Sequence, residues 1–103
     1  MDKEYNITYL PLFYDDLDRI TNYIMYKLGN KIAAENLLNE VEKEIKRRAT
    51  NAKSYEEFKS TRTRKSTYYR IYVKNFIIFY RVNNNTMEVI RILYSRRNFK
   101  NLL

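Results

Sequence analysis

The chain has 103 residues, enough for one domain, and residues 1–103 read as a single unit. It has no cysteine and no histidine, which excludes a disulfide framework, a thiolate metal site, and the usual general base, zinc ligand and partner of a catalytic serine. The net charge of +8 is lopsided: residues 59–103 hold eleven Lys/Arg against the single acid Glu88, whereas residues 1–58 sum to −2.

In chain order, Tyr5, Ile7 and Tyr9 alternate with Asn6 and Thr8, the period-two pattern of a first strand with one buried face. Pro11 ends it and suits the first turn of a helix, where its missing N–H is not needed. Phe13, Leu17, Ile20, Ile24 and Leu28 recur at helical spacing, and Gly29, the only glycine, sits where a left-handed residue closes a helix. The spacing predicts a helix over 11–28. Asp15, Asp16 and Asp18 lie near its start, where negative charge complements the macrodipole. Asn30 is placed to cap a second helix over 31–49, with Ala34, Leu37, Leu38, Val41 and Ile45 inward and a Glu42–Lys46 pair outside.

Residues 50–66 keep no period; the expectation is a loop with one helical turn at Ser54–Phe58, capped by Ser54 and Glu57. Three strands come next, over 67–74, 76–83 and 86–95, the last two joined at Asn83-Asn84-Asn85. Phe76-Ile77-Ile78-Phe79-Tyr80 is the most apolar run and reads as a central strand covered on both faces. The fold class is α+β, ordered β-α-α-β-β-β, with an antiparallel sheet packed against an N-terminal helical hairpin.

The available chemistry is narrow. No serine has a histidine to activate it, and one glycine cannot form a phosphate loop. The i, i+1, i+3 spacing of Asp15, Asp16 and Asp18 scatters them around a helix, so neither a metal nor any other cofactor is expected. What remains is arginine, lysine and tyrosine on a sheet. That composition suits an acidic protein or a polyanion, or metal-free RNA cleavage; the alternative is a solvated basic face that only aids solubility, and the lopsided charge favours binding. In the last strand Arg91 shares the parity of Met87, Val89 and Leu93, and Tyr94 that of Ile90 and Ile92. One of the two is therefore sheltered, and a sheltered Arg91 is either functional or paired with Glu88 or a helix acid. The charged start at Met1-Asp2-Lys3-Glu4 and the lack of a long apolar run lead to the expectation of a cytoplasmic protein without a signal peptide or membrane span.

Phe76-Ile77-Ile78-Phe79-Tyr80-Arg81-Val82, the asparagine turn, Glu88-Val89-Ile90-Arg91-Ile92-Leu93-Tyr94, Arg96-Arg97-Asn98 and Leu102-Leu103 resemble the C-terminal signature of RelE/ParE-family toxins of type II toxin–antitoxin modules. Tyr9-Leu10-Pro11, Phe13, Asp16-Leu17, Ile20 and Ala33-Ala34 resemble the family's first half. The resemblance implies a growth-inhibiting toxin neutralised by a cognate antitoxin, whose acidic and apolar residues meet a basic groove. Candidate contacts to antitoxin or target are Arg62, Arg64, Lys65, Lys74, Arg81, Arg91 and Arg96. Members of the RelE branch cut ribosome-bound mRNA; members of the ParE branch inhibit DNA gyrase without catalysis of their own. The pattern here is closer to ParE, because an arginine of the nucleases falls at apolar Ile77. ParE-like members often carry histidine at Tyr94 and glycine at Ser95. If the chain is instead an endoribonuclease, the resemblance points to Arg70, Arg97 and Tyr94.

Overall fold

The computed structural model describes residues 3–55, the backbone of 57–58, and residues 68–96. A first strand, β1 (Asn6–Tyr9), leads into α1 (Pro11–Asn22), which runs on as a π-helical turn over Tyr23–Lys27 before α2 (Lys31–Arg48). The strands β2 (Glu57–Phe58), β3 (Tyr68–Val73), β4 (Phe76–Asn83) and β5 (Thr86–Tyr94) follow. They form one mixed sheet in the order β1-β5-β4-β3-β2. The α+β architecture is as the sequence pattern predicts, and β4 is its central strand. One pairing departs from the antiparallel expectation: β1 runs parallel to β5, with Asn6 opposite Thr86 and Tyr9 opposite Val89. The two-helix hairpin between these strands is a crossover long enough to permit it.

Both faces of β4 are covered. Ile78 and Tyr80 join Phe13, Leu37, Val41 and Ile45 of the hairpin and Val89 and Ile92 of β5 in the main core. On the opposite face, Ile77 and Phe79 cluster with Tyr68 and Leu93. Each fully buried large apolar side chain of this kind contributes roughly 1.5–3 kcal/mol.

A bulge resets the alternation of β5. Phe79 lies opposite Arg91 but Tyr80 lies opposite Val89, so Ile90 is an extra residue on β5. Met87 and Val89 face the hairpin before the bulge, and Ile92 faces it after. Unbroken alternation would have set Ile92 and Val89 on opposite faces. The parity reading of Arg91 and Tyr94 therefore stops at Ile90.

The helix ends obey local chemistry. Asn30 accepts the Ala33 N–H at 3.0 Å as the cap of α2. Gly29 adopts φ +62, and Asn84 in the β4–β5 turn adopts φ 56. Lys46 reaches Glu42 at 2.7 Å. Leu38, expected inward on the second helix, is 38% exposed, and two further expectations are corrected. Glu57–Phe58 pairs with Tyr68–Tyr69 as a strand and forms no capped helical turn. Closing the backbone of a sheet edge outweighs a single turn whose nucleation is unfavourable. Leu28, placed by its spacing on the buried face, is 59% exposed. The π turn carries one more residue per turn than the α-helix and rotates the residues after it off that face.

Candidate functional site

Asp16 is not a surface charge beside a helix dipole. It lies beyond the first turn of α1, is 1% exposed, and faces β5. Arg91 donates to it from Nε at 2.7 Å and from Nη2 at 2.9 Å. Arg19 adds a third bond at 2.9 Å, and the backbone N–H of Ile92 a fourth at 3.2 Å. The β1 strand stops opposite Val89, and past that point Asp16 takes up the amide of Ile92. Burial pushes the Asp16 carboxyl up, but the bonds from Arg91 and Arg19 outweigh it and hold the group below the usual carboxylate range. Hydrogen bonding to Asp16 in turn pushes Arg91 up. Arg91 is thus the sheltered arginine, and its partner is the helix acid. The bulge beside Ile90 gives it the angle to reach α1.

A second, partly buried network anchors the chain after α2. Arg48 donates to the carbonyl of Arg70 at 2.8 Å and to the Tyr80 hydroxyl at 3.2 Å. Tyr80 donates to the carbonyl of Ala52 at 2.8 Å and stacks on Tyr69 at 5.1 Å. The Arg48 guanidinium lies 3.7 Å from the Tyr55 ring centroid. Burial pushes the Tyr80 hydroxyl up to about 12, so it stays a neutral donor.

Between the hairpin and the sheet end lies a groove of about 770 Å³. One wall is Ile20, Tyr23, Ile24 and Leu28, another Ala33, Asn36 and Leu37, and the far side Lys74, Asn75, Phe76 and Tyr94. Leu28 and Asn30 donate their amides to the carbonyls of Tyr23 and Ile24, and these long-reaching bonds hold the π turn that forms the first wall. Phe76 and Tyr94 meet edge to face at 5.9 Å. Arg19 and Lys74 are the charged residues of the lining, and both are cations.

The positions singled out from sequence do not form one constellation. Tyr94 ends β5 in this groove, on the hairpin side. Arg70 has the parity of Tyr68 on β3 and faces away from the hairpin, with its guanidinium 5.8 Å from the Tyr72 ring. Arg81 is held by Glu88 directly across β4–β5 at 2.7 Å. Lys74 and Arg96 are exposed. Arg62, Arg64, Lys65 and Arg97 fall outside the described residues. Among the described residues no three acids converge as a metal would require, and no helix is long and apolar enough to cross a membrane. Sequence reasoning missed the groove because it assigned Leu28 to the core and gave Arg19 no role. A signal was present in the run Tyr23-Ile24-Met25-Tyr26, which has more large apolar residues than one buried stripe can use.

The family model described as the ParE toxin of the type II toxin–antitoxin system parDE matches residues 7–99. The chain belongs to the ParE toxin family. No curated protein matches the sequence. Among solved structures, a chain from work described as "Chromosomal ParDE TA system from P. aeruginosa" superposes on this ParE-family chain with a TM-score of 0.70 at 14% identity, covering 89% of this chain and 97% of its own. At that identity the likeness concerns the fold: a two-helix hairpin against a mixed sheet. The ParE match spans the hairpin, the groove and the sheet from Ile7 onward.

Proposed function

We propose that this ParE-family toxin inhibits growth by binding DNA gyrase, without catalysis of its own, and that a cognate antitoxin neutralises it. The family match over residues 7–99 carries the reading, and the antitoxin partner comes from the two-component system that gives the family its name. Ile77 supports the gyrase branch. This position, where the nuclease branch carries an arginine, holds an apolar side chain 3% exposed in the core of the sheet. A guanidinium there would have to be desolvated among Tyr68, Phe79 and Leu93, which is strongly unfavourable. The face also matters: Arg70 and Tyr94 point to opposite sides of the sheet, so the two would not meet around one phosphate.

The test is a cell-free translation reaction primed with finished mRNA, with folded toxin added and the message mapped by primer extension. No DNA topology enters such a reaction. The reading predicts intact message and normal protein yield. Cuts in register with codons, present only while ribosomes translate, would overturn it in favour of a ribosome-dependent endoribonuclease.

A further inference from the structure

Tyr26 and Ile32 are 76% and 71% exposed, the most exposed large apolar side chains among the described residues. They stand on either side of the tight junction between the two helices, and neither lines the groove. Leu28, between them in the chain, is more than half exposed as well. Scattered exposed apolar residues are ordinary, but a group of them at one end of a hairpin is a patch.

The backbone holds these side chains outward. The Leu28 N–H donates to the Tyr23 carbonyl and the Asn30 N–H to the Ile24 carbonyl, each at 3.0 Å. Gly29 reverses the chain at φ +62, and Asn30 caps α2. The π turn, a rare element that recurs at functional positions, is what rotates Leu28 off the buried stripe. Hiding the patch would break these bonds.

Charge narrows what the patch can meet. Lys27 and Lys31 are exposed beside the apolar residues, and no acid occurs from Arg19 through Ala34. A second copy of this chain would set these lysines against its own. The patch is also a knob rather than a cleft, because side chains this exposed at a helix junction project beyond their surroundings. A soft, negatively charged layer fits such a knob. Tyrosine carries an apolar ring with a polar tip, and lysine an apolar stem below its ammonium, so both lie well at the level of lipid headgroups. The net charge of +8 adds long-range attraction to a surface of this sign.

We propose that the junction between α1 and α2 docks on an anionic lipid surface: Tyr26 and Ile32 enter the headgroup boundary, and Lys27 and Lys31 meet lipid phosphates. The contact lies on the bilayer and does not span it. It is independent of the gyrase reading and gives the free toxin a second place to bind.

The experiment is co-sedimentation of the purified full chain with vesicles of phosphatidylcholine alone, or of phosphatidylcholine and phosphatidylglycerol in equal parts. Thermal unfolding of each variant is the folding control. The wild type should bind the mixed vesicles and not the neutral ones, and high salt should release it. Tyr26→Ser with Ile32→Ser, both at exposed sites, should weaken binding about tenfold. Lys27→Gln with Lys31→Gln should weaken it about tenfold or more. Lys43→Gln with Lys53→Gln removes the same charge from exposed sites away from the junction and should stay within about threefold of wild type. Unchanged binding by the Tyr26 and Ile32 variant, or equal losses from the two lysine pairs, would mean adsorption by charge alone and would overturn the proposal. A wild type that ignores the mixed vesicles would overturn it too and leave the patch to a protein. So would a dimer of the free chain that Tyr26→Ser with Ile32→Ser dissolves, which would assign the patch to a second copy.

Discussion

Asp16→Ala tests whether the Arg91–Asp16 pair holds β5 to α1. The substitution deletes an acceptor of four hydrogen bonds and leaves Arg91, whose side chain is 13% exposed, without its carboxylate. Stranding one member of a buried pair costs about 3–5 kcal/mol. The Arg19 arm adds little to this, because its guanidinium is largely solvated. For a domain of this size each kcal/mol lowers the unfolding midpoint by roughly 4–8 °C, so a drop of about 12 °C or more is expected. Replacing both residues by Leu should recover most of the loss, since a packed apolar pair is often as stable as the ion pair it replaces. Calorimetry at neutral pH reads both effects. The sign with pH is fixed by the lowered Asp16 pKa. Its stabilising contribution is full above the ordinary aspartate value of 3.8 and fades as pH falls through the lower folded value. The gap between wild type and Asp16→Asn should therefore narrow below about pH 4. A shift under about 2 °C for Asp16→Ala would refute the reasoning, as would a double variant no better than the single one.

Three other substitutions have outcomes set by the structure. Tyr80→Phe leaves the Ala52 carbonyl without its donor and should cost about 1–2 kcal/mol in urea unfolding. The Tyr80 hydroxyl is raised to about 12 from an ordinary 10.0, so its contribution is whole below pH 10 and lost as pH climbs toward 12. Absorbance at alkaline pH should show late-ionising tyrosine, and Tyr80→Phe should reduce that late component. Gly29→Ala meets no atom within 4 Å but must adopt φ +62, so it should cost about 1 kcal/mol through the backbone alone. An Asn84→Ala variant should lose a similar amount at φ 56, read as a lower urea midpoint.

Much of the fold was legible because local signals agreed with the global one. Pro11, Gly29 and Asn30 punctuate the hairpin where the residue chemistry says they should. The apolar run at Phe76–Tyr80 is too dense for a half-exposed strand, and it is central. The parallel pairing of β1 with β5 was not legible, because period-two alternation says which face is buried and nothing about the neighbour. The site was harder to read for a specific reason: two register changes lie in it. The π turn displaces Leu28 from the helical stripe, and the bulge at Ile90 displaces Ile92 from the strand parity. Neither insertion leaves a glycine or proline to announce it. Asp16 illustrates the same limit. Its spacing suits a helix N-terminal region, and only the three-dimensional path of β5 shows that Arg91 stands opposite. The lopsided charge was legible as a total, but Arg81 and Arg91 are neutralised in place by Glu88 and Asp16. The field presented to a partner is correspondingly smaller than the count implies.

Gyrase inhibition is most directly tested by supercoiling of relaxed plasmid by purified gyrase and ATP, with folded toxin titrated in. Supercoiling should be lost as toxin is added and return when the antitoxin is supplied in equal amount. Undiminished supercoiling in the presence of excess folded, antitoxin-competent toxin would contradict the proposed function.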